Sequence, residues 1–411
     1  MFCGQRHHYS CHETLTFVNP NFSLLMNKLS RDSRSALLGT TSTSSAKSIE
    51  STQWRKYHTR SGHGFAAEDA NALHDRLRGR KVEMAGLSNE LNGPDRIVDG
   101  CRIQSKYCAS ARQSVNAAFG DDGLYRYSGQ RLEVPKDQYE KAIVLMEEKI
   151  LSGKVPGVTD PQQASTIIKK GYVTYQEASN IGRTGNIDSI KFDVKTGMIT
   201  CSFAAGLSFA IKYTSERRSG SSVGNAVREA AKDAAATSGK ALGAHVVTQQ
   251  FLRTQVGRNT AAAVTKGAKK AFDAVCQSKL GEKVVTRTVS GLTGAGKEMT
   301  VRAAKVAGTK LLRTNVISSV AITVVSAVPD VVQACRGKKT WKDVCINSAS
   351  NAAGTAGGAT GAWIGAAIGS IIPGPGTAIG GFVGGIVGGV LASSSTRKVL
   401  CRKPKPKLIC E

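Results

Sequence analysis

The chain has 411 residues, too many for one ordinary core, so two or three folding units are expected. Its formal net charge of +26 excludes an acidic surface and points to polyanionic partners, either nucleic acid or anionic lipid. Ten scattered cysteines are too thin for a disulfide-built scaffold.

The charge is uneven. Residues 1–64 hold eight Lys/Arg against three acids, residues 65–200 nineteen against eighteen, and residues 201–411 twenty-nine against nine. Residues 1–64 read as a disordered basic leader. Within it, residues 23–60 are Ser/Thr-rich, acid-poor and dotted with bases, the composition of an organelle transit peptide, with Arg55-Lys56-Tyr57 resembling a mitochondrial processing site. A basic leader with no address has the same composition. Cys3, His7, His8, Cys11 and His12 are metal-ligand types, yet they form no recognised finger spacing.

Order is expected from Phe65. Ala66, Ala70, Leu73 and Leu77 recur at helical spacing, and Val82–Ala85 follows as a short strand. Asp99-Gly100, between the strand-like runs Asp95–Val98 and Cys101–Lys106, is a strong hairpin signal because a type I′ turn needs positive φ at both central positions. Leu124–Val134 reads as a further strand pair or one long strand. Residues 136–151 form an amphipathic helix, with Tyr139, Ala142, Ile143, Met146 and Ile150 on one stripe. Asp160-Pro161 and Thr174-x-x-Glu177 are helix starts, the second a capping box. A hairpin is expected over 188–204, turning at Lys195-Thr196-Gly197. Basic Ala/Gly-rich helices are expected over 205–315, at 222–242, 259–276 and 298–313. Residues 316–396 are an apolar segment, and a basic tail fills 397–411.

A two-residue turn sets the register by counting: Val98 faces Cys101, Ile97 faces Arg102, Arg96 faces Ile103 and Asp95 faces Gln104. Lys106 shares the face of Gln104. A carboxylate, an amide oxygen and an ammonium group therefore gather on one hairpin. Pro94-Asp95, eight residues, then Gln104-x-Lys106 resembles the motif of the PD-(D/E)xK nuclease superfamily. The resemblance implies an α+β fold: a restriction-endonuclease-like αβββαβ domain over residues 65–155, hydrolysing phosphodiesters of DNA or, less often, RNA. It implies Mg²⁺ or Mn²⁺ held by Asp95, Gln104 and an acid from the preceding helix, for which Glu68 is best placed ahead of Asp69 and Asp75. Lys106 matches the catalytic lysine. Gln at 104 departs from the usual Asp/Glu and removes one anionic ligand. The bland reading is that Asp95 merely opens a turn while Gln104 and Lys106 decorate a solvated sheet. A degenerate fold that only binds nucleic acid is a further alternative.

Other features are weaker. Gly291-x-x-x-x-Gly296-Lys297 imitates a phosphate loop, but Glu298 stands where Ser or Thr is needed and no clear strand precedes it. Tyr125, Tyr127 and Tyr139 with Arg126 and Arg131 suit either stacking on nucleic acid or filling a core. His63, His74 and His245 stand alone.

Val344–Thr396 contains no charged residue and can hold two membrane-length helices divided by Pro373-Gly374-Pro375-Gly376. Gly357, Gly361, Gly365 and Gly369, then Gly380, Gly384 and Gly388, recur every four residues and let helix backbones approach closely. The stretch resembles the glycine-zipper segments of bacterial membrane-associated proteins and toxins. Bases on both flanks favour a hairpin with both ends on one side of a bilayer. Buried packing of a Gly/Ala hairpin in a soluble protein is the alternative. The combined expectation is a toxin- or effector-like nuclease tethered to, or delivered across, a membrane, whose zipper helices also offer a homo-oligomer contact. The other class is a pore-forming or membrane-remodelling protein with a non-catalytic αβ module.

Overall fold

The computed structural model describes residues 56–59, 61–85, 92–293, 299–369 and 376–401. The N-terminal metal-ligand types, most of the leader, Gly296-Lys297, residues 370–375 and the end of the basic tail lie outside them. Two units divide the chain: one is Thr52–Thr196 with Gln250–Thr254, and the other includes Gly197–Gln249 and Gln255–Glu411.

The first unit is a mixed α+β structure. It begins with α1 (Gly62–Leu77), β1 (Val82–Met84), β2 (Arg96–Val98) and β3 (Cys101–Ser105). There follow α2 (Ala111–Asn116), β4 (Arg131–Val134), α3 (Tyr139–Leu151), α4 (Ala164–Ile167), β5 (Ile168–Lys170) and α5 (Tyr175–Ile181). The five strands lie in chain order, β1–β2–β3 antiparallel, then β3–β4 and β4–β5 parallel. Asp99 (φ 50°) and Gly100 (φ 86°) both take the left-handed backbone the turn requires. The pairs Val98–Cys101, Ile97–Arg102 and Arg96–Ile103 match the register counted from that turn.

Alternation sends the strand side chains to two different environments. Leu132, Val134 and Ile168 pack with Met146, Ile150 and Ala142 of α3 and Val115 of α2 in an apolar core. Their neighbours Glu133 and Lys169 point the other way, toward α1. There Arg96, fully buried, grips Glu133 through both terminal nitrogens at 2.6 and 2.5 Å. Lys169 adds a third bond at 2.5 Å, and Asn71 of α1 donates to Glu133 at 2.7 Å. Burial alone would push the Glu133 carboxyl up, but Arg96 and Lys169 outweigh it and hold the group below its ordinary range. Asp75 reaches Arg96 at 3.4 Å and accepts from Tyr172 at 3.0 Å. Across β4 and β5 one face is apolar and the other carries a paired ionic network.

Three expectations need correction. Residues 188–204 are not a hairpin; they lie in α6 (Ile187–Arg218). Asn186 starts that helix by accepting from Ser189 N–H at 2.9 Å. Its inward positions include the polar or small Ser189, Asp193, Cys201 and Ser208, so the apolar residues alone read as alternating. Over Leu124–Val134 only Arg131–Val134 joins the sheet, because a turn at Tyr127–Gln130, with Gly129 at φ 70°, breaks the run. Finally, β5 was not anticipated and lies beyond residue 155.

The second unit is helical. It holds most of α6 and of α7 (Val223–Arg253), then α8 (Gln255–Val275), α9 (Lys279–Thr293), α10 (Val301–Cys335), α11 (Trp341–Gly369) and α12 (Gly376–Leu400). Thr300 caps α10 by accepting from Ala303 N–H. That helix runs on past 313, through Val316–Val328 and across Pro329; β-branched residues lower helix propensity only slightly and packing decides. Helix α10 is long and apolar enough to cross a membrane. Helices α11 and α12 meet through glycine. A Cβ on Gly361 would stand 2.1 Å from the Gly384 carbonyl oxygen, and one on Gly388 would stand 2.4 Å from that of Gly357.

Candidate active site

The hairpin brings Asp95 and Gln104 together. Asp95 stands just before β2, where its N–H donates to the Ile103 carbonyl at 2.9 Å and its own carbonyl accepts from Ala85. Its Oδ2 accepts from Gln104 Nε2 at 2.8 Å and from the Ser105 backbone N–H at 2.7 Å. Among the described residues, both bonds fall on Oδ2. The amide nitrogen of Gln104 is committed to Asp95, so its oxygen is the group available to a cation.

Glu68 comes from the second turn of α1. Burial, then the negative charges of Asp95 and Asp69, push its carboxyl up to about 8. Asp95 is also raised by burial, although the Ser105 N–H, Lys106 and Gln104 oppose the rise. The two acids lie in mutual electrostatic range and are penalised for ionising chiefly by burial, against the opposing charges of Lys56, Lys106 and Arg96. Lys106 stabilises the Asp95 charge. Its ammonium lies 5.2 Å from the centre of the Tyr127 ring, and its backbone N–H donates to Glu133 O.

The other candidates are otherwise engaged. Asp69 accepts from the Tyr57 hydroxyl at 2.7 Å. Asp75 belongs to the Arg96 network. Tyr125 and Tyr127 are buried in the apolar core, and Tyr139 packs against it. Arg126 donates to Ala117 O, and Arg131 to Ile168 O. That set fills and braces the core. His74 stacks on Tyr172 with centroids 3.6 Å apart, His63 meets the edge of Tyr175, and His245 is buried.

Among the described residues, no three His, Cys, Asp or Glu side chains converge to hold a metal. The oxygen donors nearest one another are the Asp95 carboxylate and the Gln104 amide, with the Glu68 carboxyl in electrostatic range of Asp95. These suit a hard cation that keeps several of its waters, as Mg²⁺ does, and do not suit a soft or fully caged metal.

Residues 45–151, which include Glu68, Asp95, Gln104 and Lys106, match the family described as the YeeR C-terminal domain. Residues 336–395, covering α11 and most of α12, match the C13G5.2-like glycine zipper domain. The chain is 50% identical over 99 residues to a protein of Escherichia coli (strain K12) named inner membrane protein YeeR. That alignment covers 23% of this chain and 19% of the relative, so the chain spans less than a fifth of the protein it resembles. No solved structure matches the chain.

Proposed function

We propose that the chain is a membrane-associated, metal-dependent phosphodiesterase of the PD-(D/E)xK type, acting on nucleic acid and most readily on DNA. The observation that carries this reading is the Asp95–Gln104 pair on one tight hairpin. Lys106 lies two residues beyond Gln104, and Glu68 is driven to about 8 first by burial and then by Asp95 and Asp69. The element order from α1 to β4, with three antiparallel strands, a helix and a parallel strand, is the order the motif family uses.

On this reading Asp95, Glu68 and the Gln104 amide oxygen hold Mg²⁺ or Mn²⁺. The ion supplies a bound water of lowered pKa and countercharge for the phosphodiester. The chain does the rest. Lys106, one residue past β3 and in electrostatic range of Asp95, would orient the attacking water against the phosphate. Ser105 N–H and Gln104 Nε2 keep the Asp95 carboxylate in one rotamer. The ionic network behind β2–β4 keeps the hairpin from shifting.

Membrane association draws on two supports: the E. coli relative is named an inner membrane protein, and residues 336–395 match a glycine zipper domain. The zipper hairpin tethers the catalytic unit on this view. Incubating the purified full chain with plasmid and Mg²⁺ or Mn²⁺ tests the chemistry. Nicking is expected, and nicking that persists unchanged in Asp95→Ala and Lys106→Ala removes these residues from any mechanism. The close α11–α12 contact favours a second reading, a membrane-remodelling or pore-forming chain with a non-catalytic αβ module. Dye release from anionic liposomes without any cleavage would select it.

A further inference from the structure

Beside α10 runs an open apolar groove of about 590 Å³, walled by α8, α10 and α11. Phe272 and Trp363 close one end, with ring centres 5.5 Å apart. Val316, Val320 and Val324 form the wall on α10, and Ala352 and Ala356 line it on α11. The volume is within the 300–1,000 Å³ range of small-molecule sites. From Leu312 to Val324 the groove follows twelve residues of helix, about 18 Å at 1.5 Å per residue. It is therefore long and narrow.

Two further observations say what fits there. The valines belong to an i, i+4 ridge, Val316, Val320, Val324, Val328 and Val332, each between 40% and 61% exposed. A ridge of that length left to water would be costly at roughly 25 cal/mol per Å². In addition, Trp363 Nε1 and Ser319 Oγ are buried with no hydrogen-bond partner, although both residues line the groove. Unmet donors beside an apolar trough call for an elongated apolar ligand that carries an oxygen acceptor. The start of α10 carries Arg302, which is exposed, and Lys305, paired with Asp273 at 3.0 Å, a basic end compatible with a phosphate headgroup.

We propose that this groove binds a phospholipid acyl chain, with a carbonyl oxygen at the acyl end taking the unmet donors near Trp363. The inference rests on the membrane reading above, and its test separates the two. The full chain carrying Trp54→Phe and Trp341→Phe keeps Trp363 as its single tryptophan. In amphipol, it is titrated with monomeric lysophosphatidylcholine brominated on the acyl chain. Saturable quenching of Trp363 is expected. Filling the groove with Ala356→Phe should raise the half-maximal concentration at least fivefold. Val324→Phe, at an exposed position, serves as a second filler, and circular dichroism verifies that helicity is kept.

Quenching that is absent, unsaturable, or unchanged by both fillers overturns the groove. Cosedimentation with phosphatidylglycerol vesicles is scored separately. Its failure alongside saturable quenching removes the membrane reading and leaves the lipid site standing.

Discussion

Gln104 donates its side-chain amide to the Asp95 carboxylate at 2.8 Å across the β2–β3 hairpin. The bond replaces what would otherwise be a repulsion between two acids. Gln104→Glu removes the donor and places a third carboxylate beside Asp95 and Glu68. The variant should melt lower than the parent without divalent ions and gain more from Mn²⁺. Paired thermal melts with EDTA and with Mn²⁺ measure the difference. An equal Mn²⁺ gain in both proteins would separate Gln104 from the metal.

Glu68 makes stability depend on pH. Its folded-state pKa, about 8, exceeds the ordinary carboxyl value of 4.5. The fold therefore binds the extra proton, and the associated stability is full below about pH 4.5. It declines as pH rises through 8. Glu68→Gln cannot ionise and should abolish that decline, ending more stable than the parent at pH 9 by roughly 2–4 kcal/mol. Urea titrations at pH 5 and pH 9 check this, and Mg²⁺ at pH 9 should narrow the gap.

The Arg96–Glu133–Lys169 cluster should be intolerant of single changes. Glu133→Gln strands a buried guanidinium and a buried ammonium, at a cost of roughly 3–5 kcal/mol. The triple variant Arg96→Met, Glu133→Leu, Lys169→Met removes the charges together and should be far milder. Urea denaturation followed by near-ultraviolet circular dichroism of the first unit's tyrosines distinguishes the two. Equal damage in both variants would mean that the cost comes from losing the cluster itself and not from stranded charge.

The helical hairpin should fail at its glycines before its larger residues. Gly361→Val drives a side chain into the Gly384 backbone, an overpacking worth roughly 1–3 kcal/mol or separation of the helices. Ile364→Ala, at an exposed position of α11, should be close to silent. Vesicle cosedimentation and thermal melts of the two variants provide the comparison.

Local backbone chemistry was the most readable part of the chain. Asp99-Gly100 announced its turn and thereby the pairing, and Thr174 with Glu177 forms the complete reciprocal capping box. What escaped notice was burial of charge. Arg96, Glu133 and Lys169 look like surface residues in a sequence, since ionic side chains are seldom interior unless paired. Their pairing spans up to 37 positions, which no local pattern reveals. The strand β5 was hidden for the same reason: Ile168-Lys169-Lys170 offers one apolar residue in three. In α6 the inward stripe is polar or small, so the helical period carried no hydrophobic signal. The meeting of Asp95 with Gln104 was countable from the turn. The elevation of Glu68 was not, because it depends on how α1 lies over the sheet.

The meeting of Gly361 with Gly384 and of Gly357 with Gly388 joins main chain to main chain, with carbonyl oxygens set against neighbouring α-carbons. Adhesion of that sort relies on dispersion and on weak Cα–H···O attraction, neither of which needs water to be expelled. The two helices can thus remain clasped in oil and in buffer alike. A segment whose internal grip does not depend on its solvent can travel from the aqueous phase to a lipid phase as one preassembled piece.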